Sequence, residues 1–285
     1  MNLQDASAAV PKLGYVPGSF PRDVVKINQF AEHVLLGQIL EPLVDADRFG
    51  NMTRGIADQW KVSQDGKTIV FHIEKGQTFS NGQPIRARDV KYSIDRHLKE
   101  ATQSSNFLKS IKEVRETGTL EITLSLSEAN VAILKALSRD HLGIVPDGWK
   151  FDAGSNEPYI GSGPYRLKKE GGTWFFLKNE RYSKANHISV PKWELVYFKD
   201  DDTQSLAPEI PDYVPMASQA VFEELTKLSK EKSISLQSKE QTSFVQTSLW
   251  WYPNGANYTS EDKKNRIMSF LNELVEEKAK AHKLQ

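Results

Sequence analysis

Gly55-Ile56-Ala57-Asp58-Gln59-Trp60-Lys61-Val62-Ser63-Gln64-Asp65-Gly66-Lys67-Thr68-Ile69-Val70-Phe71-His72-Ile73 is the stretch that decides the fold. Asp65-Gly66 supplies the positive-φ residue of a tight turn, and Ile69, Phe71 and Ile73 then recur at period two. That alternation predicts a half-buried antiparallel strand, with His72 on the opposite face. A second turn signal follows in Phe79-Ser80-Asn81-Gly82-Gln83-Pro84-Ile85. From Ala87 to Lys99 the period then changes, with Val90, Ile94 and Leu98 at steps of four and Asp89 in the first turn, where it complements the helix dipole. A helix packed on a sheet is expected there.

Working outward, Leu120, Ile122, Leu124 and Leu126 alternate with polar residues and predict another strand, and helical spacing returns between Asn130 and Leu137. Strands are expected at Tyr165–Lys169 and Thr173–Leu177, joined as a hairpin by Glu170-Gly171-Gly172, and at Trp193–Phe198. Upstream, Phe30, Val34, Leu35, Ile39 and Leu43 suit an amphipathic helix. Downstream, Asp212–Leu228 reads as helix, Thr242–Tyr252 as strand, and Ile267, Leu271, Leu274 and Val275 mark a final helix face. This order predicts a mixed α/β (α+β) architecture with a largely mixed sheet.

Composition narrows the functional classes. The chain has 285 residues, enough for two domains or one large one, and its 37 basic and 37 acidic side chains cancel. No global field draws it to nucleic acid, and no basic-aromatic stripe suits that partner. With no cysteine, disulfides and thiolate metal sites are excluded. No apolar run is long enough to span a bilayer.

The order of tryptophan, Asp-Gly turn, alternating strand, Gly turn and helix, preceded by Glu41-Pro42-Leu43-Val44, resembles the family 5 extracellular solute-binding proteins. These are receptors for oligopeptides, dipeptides and nickel in ABC importers. A second block, Tyr159-Ile160-Gly161-Ser162-Gly163-Pro164-Tyr165-Arg166-Leu167 followed by Leu177-Lys178-Asn179-Glu180-Arg181-Tyr182, looks like the family's Gly-Thr/Ser-Gly-Pro-Tyr segment and its continuation. Weaker similarity runs from about Lys26 to Asp212 and again from Thr242 past Ser260.

The resemblance implies a periplasmic-binding-protein-like lobe with an inserted β-rich subdomain. Residues 1–44 plus 157–240 would form the discontinuous main lobe, residues 45–156 the insertion, and residues 241–285 a hinge-like strand and terminal helix starting a truncated second lobe. Family receptors continue for roughly as long again, and a half-site without its second lobe keeps some contacts but forfeits desolvation and preorganisation. The implied function is recognition of a peptide or other small polar solute for an ABC permease. The alternative is a ligand-sensing or protein-interaction input domain of a signalling membrane protein. Met1-Asn2-Leu3-Gln4-Asp5-Ala6-Ser7 lacks the basic start and hydrophobic centre of a signal peptide. That leaves a cytosolic protein or a mature form with its leader replaced by Met; the resemblance favours the second, and with it a periplasmic or extracytoplasmic location.

Five residues are candidates for ligand contact. Tyr15 and Val16 occupy the place where family receptors touch ligand near their first strand, against the alternative of an ordinary surface loop. Trp250, Trp251 and Tyr252 lie on a predicted strand whose adjacent side chains point to opposite faces, so one ring at least can face a cleft; the alternative is core packing for one and partner-facing surface for another. Six histidines, His33, His72, His97, His141, His187 and His282, form no HxxxH or HExxH pair, so no metal or other cofactor is expected. Asp200-Asp201-Asp202 lacks the Gly and Glu of a calcium loop and reads as a polar connection. Gly161-Ser162-Gly163 lacks the pattern of a phosphate loop or nucleophile elbow and reads as small residues that let the chain cross between subdomains. With no triad order, carboxylate pair or cofactor fingerprint, a binding protein is expected and an enzyme is not.

Overall fold

The computed structural model describes residues 10–15, 21–27, 30–47, 50–100, 103–197 and residue 227. In chain order the elements are β1 (Lys12–Tyr15), α1 (Phe30–Leu36), β2 (Val44–Ala46), β3 (Met52–Arg54), β4 (Ala57–Val62), β5 (Thr68–Ile73), α2 (Ala87–Lys99), α3 (Gln103–Leu108), β6 (Ile111–Gly118), β7 (Glu121–Leu126), α4 (Ala132–Leu137), β8 (Tyr165–Glu170), β9 (Thr173–Lys178) and β10 (Lys192–Tyr197). Short 3-10 turns occur at Val24–Lys26, Asp140–Leu142 and Ala185–His187. The expected elements at 212–228, 242–252 and 267–275, and the Asp200-Asp201-Asp202 run, lie outside the described residues.

One four-stranded sheet runs β4-β5-β7-β6, all antiparallel. Its centre is the strand predicted from alternation. Ile69, Phe71 and Ile73 are fully buried, and Ile69 and Phe71 face Leu124 and Ile122 of β7. The β4–β5 turn closes where expected. Gly66 takes φ 69°, Asp65 accepts from the Ser63 hydroxyl at 2.5 Å and the Lys67 amide at 3.0 Å, and these bonds hold the Asp65 carboxyl below its usual range.

Helix α2 spans the predicted residues and packs on β6 and β7. Its Asp89 is buried, with one carboxylate oxygen accepting from the Arg86 amide and the other from the Asp147 amide, each at 2.8 Å. A first-turn carboxylate thus satisfies an otherwise orphaned donor and also staples the helix to the chain beyond α4. Ser93, one turn on, accepts from the Val145 amide at 3.0 Å.

The second sheet runs β1-β10-β9-β8, with β8–β9 the expected hairpin, β9–β10 also antiparallel, and β1 joined to β10 in parallel. Two apolar clusters accompany the sheets. One draws on Leu43 through Ile144; the other draws on Leu13 through Leu40 and on Val145 through Leu195. The chain passes between them at Leu40–Leu43 and again at Ile144–Val145.

Helix α1 is shorter than its apolar pattern. It ends at Leu36, and Ile39 and Leu43 are buried instead from the turn that follows it and from the bend before β2. Gly37 and Pro42 break the helical run, and a Cβ on Gly37 would lie 2.9 Å from the Asp140 carboxyl carbon.

Candidate ligand-binding edge

Parallel pairing of β1 with β10 sets Tyr15 opposite Tyr197 and brings the carboxyl ends of both strands to one rim of the sheet. It is the one parallel pair among the named strands of the described residues. In open α/β sheets, ligands are received at the carboxyl ends of parallel strands, where neighbouring connections diverge. Tyr15, predicted as a contact residue, ends β1 at this rim; its side chain is not among those described. Val16, Trp250, Trp251 and Tyr252 lie outside the described residues.

The chain that returns after the 16–20 segment is held firmly. Arg22 donates its amide to the Tyr159 hydroxyl at 3.1 Å, and that hydroxyl donates to the Arg22 carbonyl at 2.5 Å. Arg22 also pairs with the buried Glu32 at 3.0 Å. Asp23 caps the Val24–Lys26 turn and receives Arg96 Nη2 on both carboxylate oxygens at 2.7 Å. The Arg96 guanidinium lies 5.1 Å from the centre of the Trp149 ring, which stacks on Tyr159. Sequence reasoning missed this frame because its members are scattered from Arg22 to Tyr159, and no local pattern links them.

The two blocks of the resemblance meet in space. Gly163 donates its amide to the Ile39 carbonyl at 2.8 Å, and Asn179 is fully buried with its side-chain amide donating to the Gly163 carbonyl at 2.9 Å. Ser80 donates to the Gly161 carbonyl at 2.7 Å, and Ile56 and Ala57 donate to the Pro42 and Leu43 carbonyls at 3.0 and 2.8 Å. A Cβ at Gly161 would sit 2.0 Å from the Ile39 carbonyl oxygen, and one at Gly163 would sit 2.6 Å from the Ile39 carbonyl carbon. Glycine is therefore dictated by close backbone passage, which accounts for Gly161-Ser162-Gly163 without phosphate or nucleophile chemistry.

Beside this crossing, burial pushes the Glu41 carboxyl up to about 7, opposed by Lys184 and the Ser162 hydroxyl and reinforced by Asp45 and Glu74. Burial, then Glu41 and Asp45, raise Tyr182 to about 12. Among the described histidines, His72 is half exposed with Nδ1 2.7 Å from Asp58. His33, His97 and His141 come together in the interior, with ring centres 4.6 Å apart for His33 and His141 and 6.3 Å for His97 and His141. No i,i+4 spacing announces that group, since each residue belongs to a different element. Among the described residues there is no group of three or more His, Asp or Glu arranged to hold a metal ion, and no helix long and apolar enough to cross a membrane.

A mixed sheet stitched to an antiparallel one that carries helix α2 is a mixed α/β fold of periplasmic-binding-protein-like type. Solved relatives share the fold. They include a binding protein from A. tumefaciens R10 in complex with agropinic acid (TM-score 0.62, 24% identity, 69% of this chain and 41% of that one) and an oligopeptide-binding protein of Haemophilus influenzae in complex with the peptide RPPGFSPFR (TM-score 0.63, 20% identity, 78% and 48%). The chain belongs to the bacterial extracellular solute-binding proteins, family 5, whose middle-region model matches residues 51–266. This is a family of binding proteins, not of enzymes. Among curated relatives, the periplasmic oligopeptide-binding protein of Haemophilus influenzae is 26% identical over 215 residues, covering 70% of this chain and 39% of the relative. The nickel-binding periplasmic protein of Escherichia coli is 28% identical over 185 residues, covering 61% and 34%. The chain thus spans well under half the length of these curated relatives.

Proposed function

We propose that this chain provides the first ligand-binding lobe of an extracytoplasmic receptor that takes up a peptide or another small polar solute and passes it to an ABC permease. The observation that carries the reading is the rim at Tyr15 and Tyr197, where two parallel strands end side by side in a chain of this family. Backbone groups at such strand ends can hydrogen-bond a peptide main chain, and aromatic rings supply apolar contact. We assign the contacts to Tyr15, Val16, Trp250, Trp251 and Tyr252. The change of apolar cluster at Leu40–Leu43 and Ile144–Val145 supports treating the β4–β7 sheet as an inserted subdomain, near the 45–156 boundaries, within a lobe built from residues 1–44 and 157–240. The relatives named above are solute receptors, and they lend the sensory-input alternative no support.

A thermal-shift screen of the purified chain against peptides, amino acids, sugars and metal complexes, followed by calorimetry, tests this reading. Ligand that binds only the native state raises the melting temperature by mass action. A saturable shift with a peptide, weakened at least tenfold in affinity by Trp251→Ala or Tyr252→Ala, is the expected result. A flat screen from a folded sample would overturn recognition by this lobe alone, and affinity unchanged in both variants would remove those residues from the site.

A further inference from the structure

Three helical elements of different origin each contribute one imidazole to a single buried spot. His33 comes from α1, His97 from the last turn of α2 and His141 from the Asp140–Leu142 turn, which packs against both helices and against the Val24–Lys26 turn. His97 and His141 are almost wholly shielded from solvent, and neither ring nitrogen of His97 makes a well-formed hydrogen bond among the described residues. Leu35 and Leu36 of α1 belong to one apolar cluster, whereas Val90 and Ile94 of α2 and Leu142 belong to the other. The histidines therefore sit where the two halves of the fold are joined.

We propose that this junction is a proton-sensitive latch, holding α1 against α2 and the 140–142 turn while all three imidazoles are neutral and loosening α1 when acid charges them. The surroundings fit that role. Arg139 faces His33 and His141 from the 140–142 turn, with its own guanidinium 4.1 Å from the Phe107 ring centre, and Arg96 faces His97 from α2. Each would repel an imidazolium, as would the other histidines. Asp23 and the His141 backbone favour charge on His97, but Asp23 is already engaged by Arg96. On α1, Glu32 is paired with Arg22. Burial is the largest cause holding His33 and His97 down to about 4, and it holds His141 well below its ordinary value.

The sign follows from those directions. Groups kept neutral in the fold but protonated in the open form near 6.5 give stability that is whole above that pH and is lost as pH falls toward about 4. Asp140 opposes them. Burial, with Asp45 nearby, raises it to about 7, so its contribution is lost as pH rises. Two opposed titrations damp the natural response, and Asp140→Asn should steepen the acid side.

The test is side-chain histidine NMR with backbone amide shifts on the full chain between pH 8 and 3.5. The expected result is that the His33 and His97 rings stay neutral through pH 5 and titrate together near pH 4. The amides of 30–36 and 139–142 should move in the same step, while those of Ile69–Ile73 hold. His141→Asn should make the step shallower by one proton, about tenfold in the opening constant per pH unit; His33→Asn gives the same reading if that variant does not fold. Histidines titrating near 6.5, titration without movement of α1, or simultaneous loss of the Ile69–Ile73 amides would each overturn the latch.

Discussion

The sheet β4-β5-β7-β6 and the sheet β1-β10-β9-β8 each have four strands, but they cohere by different means. The first closes through short hairpins and apolar facing pairs such as Ile69 with Leu124 and Phe71 with Ile122. The second recruits β1 from the far end of the described chain, buries Leu13, Leu167, Phe176 and Leu195 from its own strands, and is bordered by polar stitches in the flanking chain, among them Asp23 with Arg96, Arg22 with Tyr159 and Asn179 with Gly163. Apolar burial is non-directional and tolerates small shifts, whereas a buried polar stitch has to be made in full or it costs stability. Both sheets thus bury an apolar cluster, and the chain around the second is in addition fixed by directional polar contacts. The proposed binding rim lies on the second sheet, where β1 and β10 end side by side.

Substitutions that strike one side only can break this contrast. Phe71→Ala removes the central ring of the first cluster and should cost about 3 to 5 kcal/mol in denaturant unfolding, the largest single effect expected here. Gly161→Ala forces a Cβ against the Ile39 carbonyl and should cost about 3 kcal/mol through strain. Its damage should appear first in exchange of amides near Ile39 and Asn179, not in β5. Loss of β5 protection at the same time would show that the two sheets unfold as one and would erase the distinction drawn here.

Glu41, on the segment that links the clusters, gives a pH-dependent version of the same contrast. Because its carboxyl is raised to about 7, the fold favours its protonated form, and that contribution is lost as pH rises from about 4.5 through 7. Glu41→Gln should flatten this slope and stabilise the protein by about 2 kcal/mol at pH 8, measured as unfolding free energy against pH. At the small end, Lys91 and Asp95 form an i,i+4 pair on the partly exposed side of α2 at 2.7 Å. Lys91→Ala should change stability by no more than about 0.5 kcal/mol.

How much could be read beforehand follows the same division. Period two identified β5 and β7, and step-four spacing identified α2, because each buries one face against its own neighbours. β6 went unread. In Ile111-Lys112-Glu113-Val114-Arg115-Glu116-Thr117-Gly118 only Ile111 and Val114 are buried, and the charged remainder is what an edge strand uses to discourage pairing with other chains. β1 and β4 were likewise not predicted. The four residues of β1 have too little pattern and are strands because β10 pairs with them, a contact made almost across the whole described chain. The rim is similarly half legible. Tyr15 was reached through resemblance alone, while the polar frame from Arg22 to Tyr159 and the three-histidine junction depend on residues that meet only after folding.

The most direct test of the rim is hydrogen–deuterium exchange on the 285-residue chain with and without a saturating peptide taken from the screen. Slower exchange at Leu13–Tyr15 and Leu195–Tyr197, with β5 and β7 unchanged, is the result predicted here. Protection confined to the β4-β5-β7-β6 sheet, with the ends of β1 and β10 unaffected, would contradict it.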